Sequence, residues 1–141
     1  MRLLLDTNIF ISYLLTRNRH SPVQTVMAAA LSPQATLLIP QALLEEIVFT
    51  VSTKPYLAAS LSVESMQILI ETLLEVAEVI PAITDPIPRV TRDPKHDYLL
   101  AYAVIGQADY LVTGDRDLLV LGQVEEVRIV SPAQFASLMA P

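Results

Sequence analysis

Two aspartates stand where apolar runs end. Asp6 follows Leu3-Leu4-Leu5, and Asp115 follows the run from Tyr110 to Gly114. Apolar runs of this kind are typical of buried strands, and in an open α/β sheet ligands bind in the crevice beyond the carboxyl ends of the strands. Two carboxylates held close together repel each other unless a cation neutralises them, and oxygen ligands suit hard ions such as Mg²⁺ or Mn²⁺. The two aspartates therefore predict a cation site, which further acids would complete.

Predicted strands and helices, which would position these acids, alternate along the chain. No linker of glycine, serine or charged residues divides it, so we predict one domain over residues 1–141, with a mostly parallel sheet covered by helices on both faces. The predicted strands are 2–6, 35–39, 82–84, 110–113 and 127–130. The predicted helices are 8–15, 22–31, one that begins at Pro40, 62–80, 95–108, a short helix or turn at 115–121, and 132–139.

Composition narrows the classes of protein. The chain has 141 residues, 52% of them hydrophobic, which is enough to fill one core. Its apolar segments are shorter than the ~20 residues that cross a bilayer. Charged residues interrupt the first residues, whereas a signal peptide has a continuous apolar core there. Zero cysteines exclude disulfides and thiolate zinc sites and agree with a reducing compartment. We therefore expect a cytoplasmic location and no membrane partner.

The net charge of −6 argues against a broad basic surface for nucleic acid, although it leaves room for a local one. Several of the nine basic residues lie beside the acidic motifs. Phosphate contacts dominate nucleic-acid affinity, so a small basic rim near a metal site is sufficient to hold a strand. The basic residues that we assign to such a rim are Arg92, Lys95 and Arg116.

Further acids lie at helix positions that face the expected crevice. In the helix after Pro40, Leu43 and Ile47 face the core, which orients Glu46 towards the crevice and Glu45 further round the helix. At the start of a later helix, Asp97 directly precedes an apolar face, and Asp93 lies one turn before it. A carboxylate is favoured at a helix start by the free N–H groups and the helix dipole, so capping is an alternative function for both aspartates.

Four blocks in order resemble one family, the PIN domains. They are LLLDTNIFIS at 3–12, LLEEI at 43–47, RDPKHDYLLAYA at 92–103 and ADYLVTGDRDLL at 108–119. The resemblance is greatest to the branch that contains toxin components of bacterial and archaeal toxin–antitoxin systems, including the VapC-type ribonucleases. It implies a PIN-like three-layer α/β/α sandwich. By motif, the catalytic and metal-binding acids are Asp6, Glu46, Asp97 and Asp115, and Asp117 is an additional metal ligand.

The same resemblance implies an activity and its requirements. It implies hydrolysis of single-stranded RNA that leaves a 5′ phosphate and a 3′ hydroxyl, with one or two Mg²⁺ or Mn²⁺ ions. It also implies a cognate antitoxin protein that covers the acidic site, and a possible homodimer. Three polar residues near the crevice are expected to orient ligands or water: Thr7, Asn8 and Thr113.

One position departs from the family pattern. Similar sequences often carry an aspartate where this chain has His96, which removes a negative charge near the site. The histidine would cap the helix, or donate to a phosphate when protonated, and as a ligand it would be out of character in an oxygen-rich magnesium site. We also expect that removal of Asp97 abolishes activity but preserves the fold, because its charge would lie in a repulsive cluster.

Alternative interpretations remain at this stage. Taken singly, Asp6 and Asp97 are ordinary helix caps, and Asp115 with Asp117 are ordinary turn residues. A PIN-like scaffold with a weak or inert site that binds protein or RNA is an alternative, which the presence of all the acids disfavours. A phosphatase with an aspartyl nucleophile needs a second acid two residues after Asp6, where the chain has Asn8, and a response-regulator receiver needs a lysine later than Lys95.

Overall fold

The computed structural model describes residues 1–16, 20–53 and 62–140. Within these ranges the chain forms six strands and seven helices. The strands are β1 (Arg2–Leu5), β2 (Thr36–Pro40), β3 (Glu78–Ile80), β4 (Tyr110–Val112), β5 (Gln123–Val124) and β6 (Val127–Val130). The helices are α1 (Thr7–Leu15), α2 (Pro22–Ala30), α3 (Gln41–Thr53), α4 (Val63–Val76), α5 (Pro94–Ile105), α6 (Arg116–Leu119) and α7 (Pro132–Met139).

The strands form one sheet in the order β3-β2-β1-β4-β6-β5. All neighbouring pairs are parallel except β5 with β6, which confirms the prediction of a mostly parallel sheet. Helices flank the sheet; α2 packs against α7, and α1 contacts α2 and α3. The apolar run of β1 is fully buried, as a strand covered on both faces requires.

The order in which strands are added to the sheet changes side at β1. From β1 the chain continues to β2 on one side, and β4 lies on the other side, so the switch point falls between β1 and β4. Leu5 pairs with Val112, and the N–H of Asp6 donates to the carbonyl of Val112 at 3.0 Å. The residues that follow β1 and β4 therefore emerge side by side, where a ligand crevice is expected.

Local sequence explains where most helices begin. Ser21 and Ser62 accept hydrogen bonds from the backbone N–H groups of Gln24 and Ser65, and Ser131 forms a capping box with Gln134. Proline occupies the first position of α2, α5 and α7, where its missing N–H costs nothing. None of the helices in the described ranges is long and apolar enough to span a membrane.

Two short strands differ from the predictions. The strand expected at 82–84 is wrong: α4 ends at Val76, four residues before the predicted end, and β3 lies at Glu78–Ile80. Strand β3 forms at this position because its residues pair with the end of β2. Ile80 lies opposite Pro40 and is buried. Strand β5 was not expected, and it is only a two-residue antiparallel edge beside β6. Strands this short give little periodic signal.

Candidate active site

A crevice of about 360 Å³ opens at the carboxyl ends of β1 and β4. Four acids from different parts of the chain line it: Asp6 after β1, Glu46 on α3, Asp93 before α5, and Asp115 after β4. The other residues that line it are Thr7, Asn8, Leu43, Phe49, Thr50, Thr53, Lys95, His96, Tyr98 and Leu99. The crevice is therefore acidic, with one lysine and one histidine at the same wall.

A buried hydroxyl joins the two strand-end aspartates. Thr113 is fully buried, and its Oγ1 donates to Oδ2 of Asp6 at 2.8 Å and accepts from the N–H of Asp115 at 3.1 Å. Asp6 occupies the N-cap position of α1, yet its side chain makes no capping hydrogen bond. Capping of α1 therefore does not account for its carboxylate, which is turned to Thr113 and the crevice instead.

The carboxylate of Asp115 contacts two neighbouring residues, Asp117 and His96. Its Oδ1 accepts from the N–H of Asp117 at 2.9 Å and so caps the short helix α6. Its Oδ2 lies 2.8 Å from Nε2 of His96, whose side chain is only 14% exposed. One potential ligand atom each of His96, Asp115 and Asp117 lie within 4.8 Å of one another. The carboxylate of Asp117 also accepts from Arg92 at 3.0 Å, on the outer side of this group.

Asp97 points away from the crevice. Its side chain is buried, and Oδ1 accepts from the N–H groups of Thr91 at 2.7 Å and Val90 at 3.0 Å. These donors, Thr91 first, hold the pKa of the Asp97 carboxyl below its ordinary value of 3.8, although burial opposes them. Asp97 lines a separate apolar depression with Pro88, Val90 and Leu100. The prediction that it stands among the crevice acids does not fit this geometry.

The path of the segment before α5 causes this difference. Residues 81–93 are irregular and fold back beside α5, so their backbone N–H groups need acceptors other than a strand or helix. Asp97 supplies one, while Asp93, at the N-cap of α5, accepts from the N–H of Lys95 at 2.9 Å and lines the crevice. Thr91 ties the two together, because its Oγ1 donates to the carbonyl of Asp93 at 2.9 Å.

The two glutamates of α3 are placed differently. Glu46 is exposed and lines the crevice, whereas Glu45 is exposed and is not among the lining residues. Both charges act on Tyr98, which lines the same crevice. Burial, a hydrogen bond with Tyr102 and these two carboxylates raise the pKa of Tyr98 to about 12, so its phenol stays protonated near neutral pH.

The residues predicted to support the site lie at three kinds of position. Thr7, Asn8 and Lys95 line the crevice, Thr113 lies buried beneath it, and Arg92 and Arg116 are exposed near Asp117. Among the crevice residues that were not assigned to the site, those with ionisable side chains are Asp93, His96 and Tyr98. Asp93 carried a visible signal, since an aspartate before proline is a common helix start. The position of Tyr98 depends on tertiary packing, which no local sequence signal indicates.

Comparison with known proteins agrees with this architecture. The family model for the PIN domain matches residues 2–117. No curated protein matches the sequence. A chain of a crystal structure described as VapBC2 from Rickettsia felis bound to a DNA fragment from their promoter is similar to this fold, with a TM-score of 0.60 and 16% sequence identity over 93% of this chain and 98% of that chain. The sequence match, with the same fold and an acidic crevice at the switch point, shows that this chain belongs to the PIN domain family.

Proposed function

We propose that this protein is a metal-dependent endoribonuclease that cleaves single-stranded RNA in the acidic crevice. The observation that carries the proposal is the convergence of four carboxylates from four parts of the chain on the ends of β1 and β4. In this proposal the acids that would hold the cation facing the phosphate are Asp6, Glu46, Asp93 and Asp115, with Asp117 beside Asp115. Asp93 takes the role that the sequence assigned to Asp97, because Asp97 is already bound to two backbone N–H groups.

The donor set fits a divalent cation such as Mg²⁺ or Mn²⁺, one or two ions. Carboxylate oxygens are the ligands that these ions prefer. Within the described ranges, the buried side-chain polar atoms without a hydrogen-bond partner are Thr7 Oγ1 and His96 Nδ1, and both residues line this crevice. Unpaired buried polar atoms that share one crevice favour a ligand or water there. A bound divalent ion would neutralise phosphate charge and make a water molecule easier to deprotonate.

The chain's own residues hold the ligand groups and the substrate. Thr113 fixes the carboxylate of Asp6 and the backbone of Asp115 relative to each other, so the two aspartates keep a constant separation. Tyr98 stays neutral at the crevice wall, and its hydroxyl donates to Tyr102 at 3.1 Å. Lys95 in the crevice, with Arg92 and Arg116 nearby, offers cations to the phosphates on either side of the scissile bond.

We propose further that the protein is the toxin of a toxin–antitoxin pair and acts in the cytoplasm. The similar Rickettsia felis structure is a VapBC2 complex, and the sequence blocks resemble the VapC-type branch. A cognate antitoxin would cover the crevice, and the toxin would pair as a homodimer. Induced expression without antitoxin, followed by a gel of total RNA, tests this: growth arrest with discrete RNA fragments is expected, and unaffected growth with intact RNA would contradict it.

A second candidate function is a catalytically weak PIN scaffold that binds protein or RNA. The contact between His96 and Asp115 favours it, because the ring nitrogen already occupies a carboxylate oxygen that a cation would need. The acids of the crevice favour the enzyme instead.

Cleavage assays separate the two functions. The wild type should cut single-stranded RNA only with Mg²⁺ or Mn²⁺, and Asp6→Asn should lose the activity. Asp85→Asn is a matched control, since it removes the same charge from an exposed bend that does not line the crevice. Equal cleavage by wild type and Asp6→Asn would refute the proposed site, and RNA binding without cleavage by the wild type would favour the scaffold.

A further inference from the structure

His96 brings a nitrogen atom into an otherwise oxygen-based crevice. Its Nε2 lies 2.8 Å from Oδ2 of Asp115, and its ring is mostly buried. Nε2 belongs to the group of His96, Asp115 and Asp117 whose ligand atoms lie within 4.8 Å of one another. This spacing is compatible with three ligands around one cation, without a change in the backbone.

In the described part of the chain, the other nitrogen of the same ring is not engaged, so it is able to carry the ring proton when Nε2 binds a metal. His96 Nδ1 is buried and, among the residues that the structure describes, has no hydrogen-bond partner; the same is true of Thr7 Oγ1 in this crevice. A histidine that binds a metal through one nitrogen commonly donates from the other to a carboxylate, carbonyl or water. The N-cap of α5 is already Asp93, so capping does not account for the contact of the ring with Asp115.

Nitrogen changes which cation the site prefers. Sets made only of carboxylate and water oxygens suit Mg²⁺, whereas imidazole binds divalent first-row transition ions better than it binds Mg²⁺. An imidazole ring also brings no negative charge, so the attraction for Mg²⁺, which depends on charge, is weaker than with an aspartate at this place. Both effects act in the same direction.

We propose that His96 is a metal ligand through Nε2 and that it shifts the site from Mg²⁺ towards a transition cation such as Mn²⁺. The inference rests on the proposed metal site, but not on the identity of the RNA substrate. In the bound state Nε2 leaves Oδ2 of Asp115 to share the ion with it, and the ring proton lies on Nδ1.

Pulsed electron paramagnetic resonance of bound Mn²⁺ tests the ligand directly. The wild type should show the ¹⁴N coupling of a directly bound imidazole, and His96→Gln should lose it. His20→Gln is the matched control, because His20 is the other of the two histidines, and it should keep the coupling. Bound Mn²⁺ without ¹⁴N coupling, or coupling that survives in His96→Gln, would overturn the inference but leave the metal site intact. Failure of the wild type to bind Mn²⁺ would overturn both.

Competition between ions tests the selectivity. In His96→Asp the amount of Mg²⁺ needed to displace Mn²⁺ should fall by roughly tenfold or more, on the scale that changes around metal ligands commonly produce. Melting curves of each variant without metal identify any that is unfolded. A folded His96→Asp variant with the same Mn²⁺ to Mg²⁺ preference as the wild type would show that the histidine does not set the selectivity.

Discussion

Replacement of Thr113 by valine tests whether one hydroxyl holds the two strand-end aspartates together. Valine keeps the shape of threonine but removes Oγ1, which donates to Asp6 and accepts from the N–H of Asp115. A hydrogen bond to a charged acceptor contributes about 1.5–3 kcal/mol, and one between neutral groups about 0.5–1.5 kcal/mol. Because Asp6 is partly exposed, water compensates for part of the free energy lost with the hydrogen bond to its carboxylate. We therefore expect a loss of about 2–3 kcal/mol in the free energy of unfolding.

For a chain of 141 residues this loss corresponds to a melting temperature lower by roughly 6–15 °C. Thr113→Ser is the matched control: it keeps the hydroxyl and loses one buried methyl group, which costs about 1 kcal/mol. Affinity for Mn²⁺, measured by isothermal titration calorimetry, should fall roughly 10–100-fold in the valine variant, as for other residues that orient metal ligands, and change little in the serine variant. Equal melting temperatures and equal Mn²⁺ affinities in the two variants would refute the coupling.

Three further predictions concern Asp97 and the packing around α5. Asp97→Asn keeps the Oδ1 acceptor and should keep RNA cleavage. Asp93→Asn should lose most of the cleavage. Lost cleavage in Asp97→Asn with retained cleavage in Asp93→Asn would show that Asp97, not Asp93, is the metal ligand. Because the folded pKa of Asp97 lies below 3.8, its charge stabilises the fold above that pH, and the contribution is lost as the pH falls through the lower folded value. Urea unfolding of wild type and Asp97→Asn should therefore converge in acid, and a constant difference would contradict this. Gly106→Ala places a Cβ 2.8 Å from Cδ1 of Ile80 and 3.0 Å from the backbone carbonyl of Tyr102, and it should cost about 1–3 kcal/mol in urea unfolding. Unchanged stability would contradict this close packing.

Local signals made most of the fold predictable. The serine caps, the prolines at helix starts and the fully buried run of β1 each act within a few residues, so the sequence shows them directly. The positions of Asp6 and Asp115 were predictable from local signals as well. A strand end and parallel pairing are enough to bring them to one edge of the sheet.

Non-local features were not predictable in the same way. The helix start at 93–97 was evident, but only the path of residues 81–93 determines that Thr91 and Val90 donate to Asp97 and leave Asp93 to the crevice. The contact between His96 and Asp115 likewise depends on how α5 packs against the end of β4. Short edge strands such as β5 exist only because a neighbouring strand pairs with them.

The chemistry of the cleavage products tests the proposed metal-dependent hydrolysis most directly. Purified protein and labelled single-stranded RNA are incubated with Mn²⁺, with Mg²⁺ or with a chelator, and the ends of the fragments are identified. We expect 5′-phosphate and 3′-hydroxyl ends, formed only when a divalent cation is present. Cleavage that persists in the chelator, or fragments that end in a 2′,3′-cyclic phosphate, would contradict hydrolysis at a metal site formed by Asp6 and Asp115.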